Sequence, residues 1–231
     1  MYSRKIICLA NSYKHGGRCI AGREYHNGAV GAWLRPVSVR EGRELSVAEC
    51  RYGLLRGAVS VGDIADVQLA RAVPHGHQVE NHEISASGGW RKSGCATWTL
   101  LYSSQDEGCA DFWADRGSSS RGLADRVPVS MASALGASLQ LIYLRRMELL
   151  VRTGFNGVGK EVRACFSYFG MEYNLKVTDP VVCEAMKSRP PGQYPVGMVL
   201  LCISVSEPFQ GFVYRLVATV ITPRRCEKFR S

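Results

Sequence analysis

Tyr13, Lys14, His15 and Arg18 gather around Gly16-Gly17. A ring that stacks on a base, beside cations that meet phosphates, is the combination nucleic-acid binders use. An ordinary solvated turn has the same composition, since turns collect polar residues with or without a ligand. Arg35 follows at the end of Trp33-Leu34-Arg35 and joins this set, while Trp33 reads as core because strand aromatics usually pack inward. The last third of the chain repeats the chemistry with Lys160, Arg163, Tyr173 and Lys176, and with Tyr168 and Tyr214 as further aromatics. On that stretch Glu161, Arg163 and Cys165 share one strand face. Val162, Ala164 and Phe166 share the other and should be buried.

A second polar set is His75, His77, Glu80 and Asn81. With the Lys14–Arg18 tip it would line a pocket for a nucleotide or modified base. The alternative is a segment ordered by its own side-chain to backbone bonds. His75, His77 and His82, with Cys95 or Cys109 downstream, match no zinc-finger spacing, so neither a metal nor a cofactor is expected. Gly154 to Lys160 fits GxxxxGK, but a phosphate-binding loop needs Ser or Thr next and then a helix. Glu161 follows instead, and the residues beyond alternate as a strand. The stretch therefore reads as a glycine-rich β-turn that leaves Lys160 able to touch a phosphate. No Ser-His-Asp or Cys-His arrangement can be asserted, so enzymatic activity stays open, with a non-enzymatic protein the favoured reading. Asp125 and Arg126, before Val127-Pro128, read as an ion pair clamping a linker. Cys19 reads as a half-buried strand cysteine, and Asp179-Pro180 as the close of a strand.

These residues need elements to hold them. With 231 residues the chain has room for one large or two small domains. A 46% hydrophobic and 21% charged composition excludes a disordered chain. The net charge is +9, split as +5 over residues 1–75, −2 over 76–133 and +6 over 134–231. Two basic ends favour a polyanionic partner. No apolar run approaches the roughly 18 residues that span a bilayer. Ile6 to Ala10 is too short for a signal sequence, so a cytoplasmic protein with no membrane partner is expected. The nine cysteines are odd in number and scattered without a CxxC pair, against a disulfide framework. Cys8, Cys165 and Cys202 lie in strand-like runs and act as small hydrophobes.

Ile6–Ala10, Cys19–Tyr25 and Ala32–Val37 predict a three-stranded meander, with Asn27-Gly28 as a hairpin turn. Ser46 and Glu49 have capping-box spacing and predict a short helix. Asp63–Ala70 alternates as a half-buried strand. In the middle, Trp98–Tyr102 suggests a strand and Asp106–Trp113 a helical turn. Leu139–Val151 fits helix or strand by periodicity, and its Leu, Ile, Tyr and Val content with the glycine-rich turn after it favours one long bent strand. Glu161–Tyr168 and Met171–Asp179 form a hairpin about Phe169-Gly170, and Pro180–Lys187 a helix. Val199–Val205 and Phe212–Thr222 are the last strands. Five strands with a helix between the third and fourth is the element order of an OB barrel. The expected fold is mainly β: two OB-like five-stranded barrels, residues 1–75 and 135–231. A mixed, loop-rich segment with short helices, 76–134, would join them and pack between them.

Several phrases support that reading: ANSYKHGGRCIAG, WLRPVS, PHGHQVEN, DRVP, EVRACFSYFGMEYNLKVTDP and SEPFQGFVYRLVATVI. Together and in order they resemble the bacterial dual OB-containing domain family. The resemblance implies two OB-like barrels and, by analogy of fold, nucleic-acid binding; it carries over no catalytic residues. The expected function is nucleic-acid binding by phosphate capture and base stacking, with strandedness left open. A nucleotide-pocket protein, as sensor or nucleic-acid-modifying enzyme, and a module with a protein partner in a larger bacterial assembly are the alternatives.

Overall fold

Apolar and polar residues alternate through most of the chain, and this period of two produces strands with one buried face. A computed structural model describes residues 1–14, 16–53, 57–86, 89–108, 110–114, 117–154 and 157–230. The chain divides into two compact units. One comprises residues 1–104 with the C-terminal residues from Pro223 onward, the other residues 105–222. The segment 76–134 is thus divided between the two units, where the sequence suggests a separate connector.

The first unit contains β1 (Tyr2–Lys14), β2 (Gly17–His26), β3 (Ala29–Val37), β4 (Asp63–Ala72), β5 (Asn81–Ile84), β6 (Trp90–Cys95) and α1 (Trp98–Ser103). β1 pairs with β4 through residues 2–7 and with β2 through residues 6–14, which closes a barrel of order β1-β2-β3-β5-β4-β1. β3 and β5 are parallel and the other neighbours antiparallel, the OB arrangement. A bulge between Cys8 and Ala10 lets β1 turn from one neighbour to the other. Across from it, a Cβ on Gly22 would lie 2.2 Å from the Ile7 carbonyl oxygen, so only glycine permits this approach. Asn27 and Gly28 both take positive φ and make the β2–β3 turn.

Ile6, Cys8, Ile20, Leu34, Val67 and Leu69 fill this barrel. Ser46 and Glu49 form their capping box over one helical turn rather than a longer helix: the Glu49 amide donates to Ser46 Oγ at 3.2 Å, and the Ser46 amide to Glu49 Oε2 at 2.8 Å. Trp98–Ser103 is a helix, not the strand its β-forming residues suggest. Thr97 caps it by accepting from the Leu100 amide, and Leu101 is fully buried. A C-terminal helix, Pro223–Glu227, belongs to the same unit. Beyond it the Phe229 ring fills the space a side chain at Gly62 would need.

The second unit contains α2 (Ala110–Ala114), β7 (Arg126–Pro128), β8 (Leu139–Leu144), β9 (Met147–Thr153), β10 (Lys160–Tyr168), β11 (Met171–Val177), α3 (Pro180–Met186), β12 (Gly192–Val196), β13 (Val199–Val205) and β14 (Phe212–Ile221). β8 and β9 are halves of one bent strand interrupted at Arg145-Arg146. β8 pairs with β13 and β9 with β10, so the order β9-β10-β11-β14-β13-β8 closes on itself. β11 and β14 are parallel over two residue pairs. This is a second OB arrangement, with α3 between its third and fourth strands. Val162, Ala164 and Phe166 face the core as expected, with Leu149, Leu175, Leu201 and Val217. Phe112 and Trp113 of α2 join that core, and the Trp113 indole donates to Gln140 Oε1 at 2.7 Å. Phe169 and Gly170 make the hairpin turn with positive φ.

Asp179 ends β11's run and also caps α3, with Pro180 at the first helical position. Its carboxylate accepts the Val181 amide at 3.0 Å and, through the other oxygen, the Val220 amide of β14 at 2.9 Å. The side chain is almost completely buried. Replacing it removes a cap and strands a buried amide, so Asp179→Ala is expected to cost about 2–4 kcal/mol, read from urea unfolding. A loss below about 0.5 kcal/mol would show that water replaces both contacts.

Candidate nucleic-acid interface

Three loops of the first barrel meet. The β1–β2 tip is tied to the β3–β4 loop by paired backbone bonds between Arg18 and Leu45, 2.8 and 2.9 Å, and by Lys14 Nζ donating to the Gly42 carbonyl at 2.7 Å. The β3–β4 loop reaches the β4–β5 turn through Arg43 Nη1, which donates to the Val73 carbonyl at 3.3 Å. On the tip, the Arg18 guanidinium lies 4.4 Å from the centre of the Tyr13 ring, a cation–π stack, and Tyr13 is 60% exposed. Arg40 sits on the middle loop, half exposed, its Nη2 donating to Glu49 Oε2 at 2.8 Å and to the Glu44 carbonyl at 3.2 Å, and its Nε to Ser38 Oγ at 3.1 Å. Val39 and Val47 of the middle loop and Val79 of the turn are also exposed. The result is a rim in which Lys14, Arg18, Arg40 and Arg43 alternate with apolar groups and with the carboxylates of Glu41, Glu44, which lies against Gly17 and Gly42, and Glu49, which holds Arg40. His15 lies outside the described residues. Arg40 and Arg43 are absent from the sequence-based set because nothing in a polar loop marks which of its residues fold back onto a neighbouring hairpin.

Arg35 does not join this rim. Its Nη2 lies 2.8 Å from Glu80 Oε1, and the two side chains are 5% and 7% exposed. A phosphate could reach it only by displacing the carboxylate, so its role here is to hold β3 against the residue that precedes β5. The Arg35 amide also donates to the Glu80 carbonyl at 2.9 Å. The four residues of the expected pocket point different ways. His75 is exposed and His77 partly buried, Glu80 is held by Arg35, and Asn81 is fully buried with its amide nitrogen 3.4 Å from Gln78 Oε1. His82 Nδ1 is bonded to the Tyr2 hydroxyl. Among the described residues, no three His, Cys, Asp or Glu side chains are placed to share a metal ion. Trp33 is not core: it is partly exposed on the outer face of β3, with the Arg23 guanidinium 5.6 Å from its ring.

In the second barrel the expected cations divide. Lys176 is exposed on β11; Lys160 is exposed, with its ammonium bonded to the Arg189 carbonyl. Gly154 and Gly159 close the turn before it, and β10 follows where a phosphate-binding loop would have a helix. Tyr173 is buried between the Phe166 and Trp113 rings and serves the core. Arg163 is also buried, against expectation. It donates to Asp125 Oδ2 at 2.9 Å, Glu161 Oε1 at 2.8 Å and the Asn174 side-chain and backbone oxygens at 2.5 and 2.6 Å. Asp125 therefore pairs with Arg163, not with its neighbour Arg126, whose guanidinium lies over the Phe212 ring. Arg121 and Arg152 complete the cluster at 2.8 and 3.3 Å from Glu161. An arginine on the polar side of an alternating strand looks solvent-facing in sequence. The chain segment that covers it lies some forty residues earlier.

Burial by itself would raise the Glu161 pKa, but hydrogen bonds from Arg163 and Arg152 outweigh it and hold the carboxyl below its usual range. Burial pushes the Cys50 and Cys183 thiols up to about 11, so both are inert in the way packed cysteines are.

A family model, the dual OB-containing domain, matches residues 4–220. No curated protein and no solved structure matches the chain.

The depressed Glu161 pKa fixes the sign of a pH effect. The stabilisation is complete above the unfolded-state value of about 4.3 and is lost as pH falls through the lower folded value. In urea unfolding, wild type should exceed Glu161→Gln by a constant margin above about pH 5, narrowing toward pH 3. A margin that holds constant down to pH 3 would show that Glu161 is not held by the arginines.

Proposed function

Because the chain belongs to the dual OB-containing domain family, we propose that it binds nucleic acid through the loop rim of its first barrel. The observation that carries this is Tyr13, an exposed ring backed by the Arg18 guanidinium at the end of the β1–β2 hairpin. The loop between the first two strands is one of those with which OB barrels take oligonucleotides. One ring face holds Arg18 and a base stacks on the other, while Lys14, Arg40 and Arg43 follow the phosphates along the adjoining loops. Exposed Val39, Val47 and Val79 give base edges apolar contact on the same loops. The +5 charge of residues 1–75 supports the same partner.

The test is a fluorescence-anisotropy titration of single-stranded and duplex oligonucleotides at low and moderate salt. Affinity should fall steeply as salt rises, with a slope of about −0.7 per phosphate contact for a single strand. Tyr13→Ala should cost about 1–3 kcal/mol, and Lys14→Glu with Arg18→Glu should both weaken binding and flatten the salt slope. Absence of binding at low salt would reject the proposal.

A further inference from the structure

Strand order makes β10 and β11 of the second barrel the counterparts of β2 and β3, the face with which OB barrels hold ligand. That face is covered at its Arg163 end, while Ser167, Glu172 and Lys176 on it stay exposed. Residues 117–126 run across it as a strap. Leu123 exchanges both backbone bonds with Asn174 of β11, at 3.2 and 3.0 Å, and the Arg126 amide donates to the Gly117 carbonyl at 3.0 Å. Arg121 Nη2 donates to the Thr153 carbonyl at 2.7 Å, and Arg152 Nη2 returns a bond of 2.5 Å to the Arg121 carbonyl. Within the strap, Ser119 gives its amide and hydroxyl to the two Asp125 oxygens, both at 2.7 Å. A Cβ on Gly122 would fall 1.8 Å from Asp125 Oδ2 and 2.2 Å from Arg163 Nη2, so the strap is seated with no room for a side chain there.

The chemistry of this contact matters as much as its shape. Arg152 and Arg163 on the strands and Arg121 on the strap are the cations that a phosphate chain would seek. Asp125 and Glu161 already hold them, with Arg163 and Asp125 side chains 4% and 5% exposed. The two carboxylates stand where the anions of a ligand would. The first barrel differs: its counterpart strands carry the partly exposed Arg23–Trp33 stack on their outer face, and the cations of the rim above, though Glu41, Glu44 and Glu49 lie among them, reach solvent.

Building on the reading of the first barrel as a nucleic-acid binder, we infer that the chain offers a single OB-sized site for a polynucleotide. The second barrel, whose β9–β11 arginines are covered by residues 117–126 and already paired with Asp125 and Glu161, takes none across its β10–β11 face. The site should then span about 4–16 nucleotides, the reach of one OB fold, rather than the length of two in series.

The experiment uses the full chain and a labelled mixed-sequence single-stranded DNA of about 12 nucleotides, within that reach, and a second about twice as long. Lys14→Glu with Arg18→Glu should weaken binding of both at least about tenfold, the scale of losing a stacked cation and a phosphate contact. Lys160→Glu with Lys176→Glu changes only exposed groups of the second barrel and should leave affinity within about twofold, the size of ordinary surface effects. The longer strand should bind no more than its greater number of registers requires. An equal loss from the second-barrel pair, or a large gain from the longer strand, overturns the single-site inference while leaving nucleic-acid binding intact. Failure of the wild-type chain to bind either strand at low salt overturns both.

Discussion

Each barrel depends on closing a sheet along a seam of parallel strands that is only a few residues long. β3 and β5 meet over three residue pairs, β11 and β14 over two. Parallel pairs are slightly weaker per residue than antiparallel ones, and at these lengths their backbone bonds cannot hold a barrel alone. Both seams are reinforced by buried arginine. In the first, Arg35 joins β3 to Glu80, the residue before β5. In the second, Arg215 of β14 donates to the Phe112 and Ala124 carbonyls, which fastens α2 and the strap where β11 and β14 diverge. Buried charges of this kind contribute little net stability while paired but are costly to leave alone, which suits them to fixing one arrangement over others.

The two barrels place their remaining arginines differently. The first spends one arginine inside its seam and leaves its loop cations at the surface. The second draws a stretch of the chain over its strand face and sets carboxylates among the arginines there. Two barrels with the same strand order thus differ in whether their arginines reach solvent. Fold alone does not separate the two barrels; the difference in exposure comes from which chain segment lies over each strand face.

What the sequence shows follows the range of the interactions involved. Asn27-Gly28, Phe169-Gly170 and the Ser46–Glu49 box are local, and each forms where its residues sit. The bent strand across Leu139–Val151 is legible from its Leu, Ile, Tyr and Val content and the glycine-rich turn after it, since periodicity alone fits a helix as well; the cap that Asp179 gives the helix from Pro180 is not, because the same residue also ends a strand. Trp98–Ser103 is misleading because Trp, Thr and Tyr favour strands, whereas the Thr97 cap and the burial of Leu101 decide for a helix. Arg35, Arg163 and Tyr173 look like surface chemistry because a cation or phenol on an alternating strand gives no sign that a distant segment covers it. Their partners Glu80, Asp125 and Trp113 are 45, 38 and 60 positions away. The Tyr13–Arg18 contact is local, between residues five positions apart across a hairpin.

Hydrogen–deuterium exchange on the full chain, with and without a saturating single-stranded oligonucleotide, tests this division most directly. Slowed exchange over residues 11–18, 38–45 and 73–80, with residues 117–126 and 160–177 unchanged, is the expected footprint. Protection confined to residues 117–126 and 160–177 would contradict it, because the ligand would then have entered the face that the chain's own carboxylates occupy.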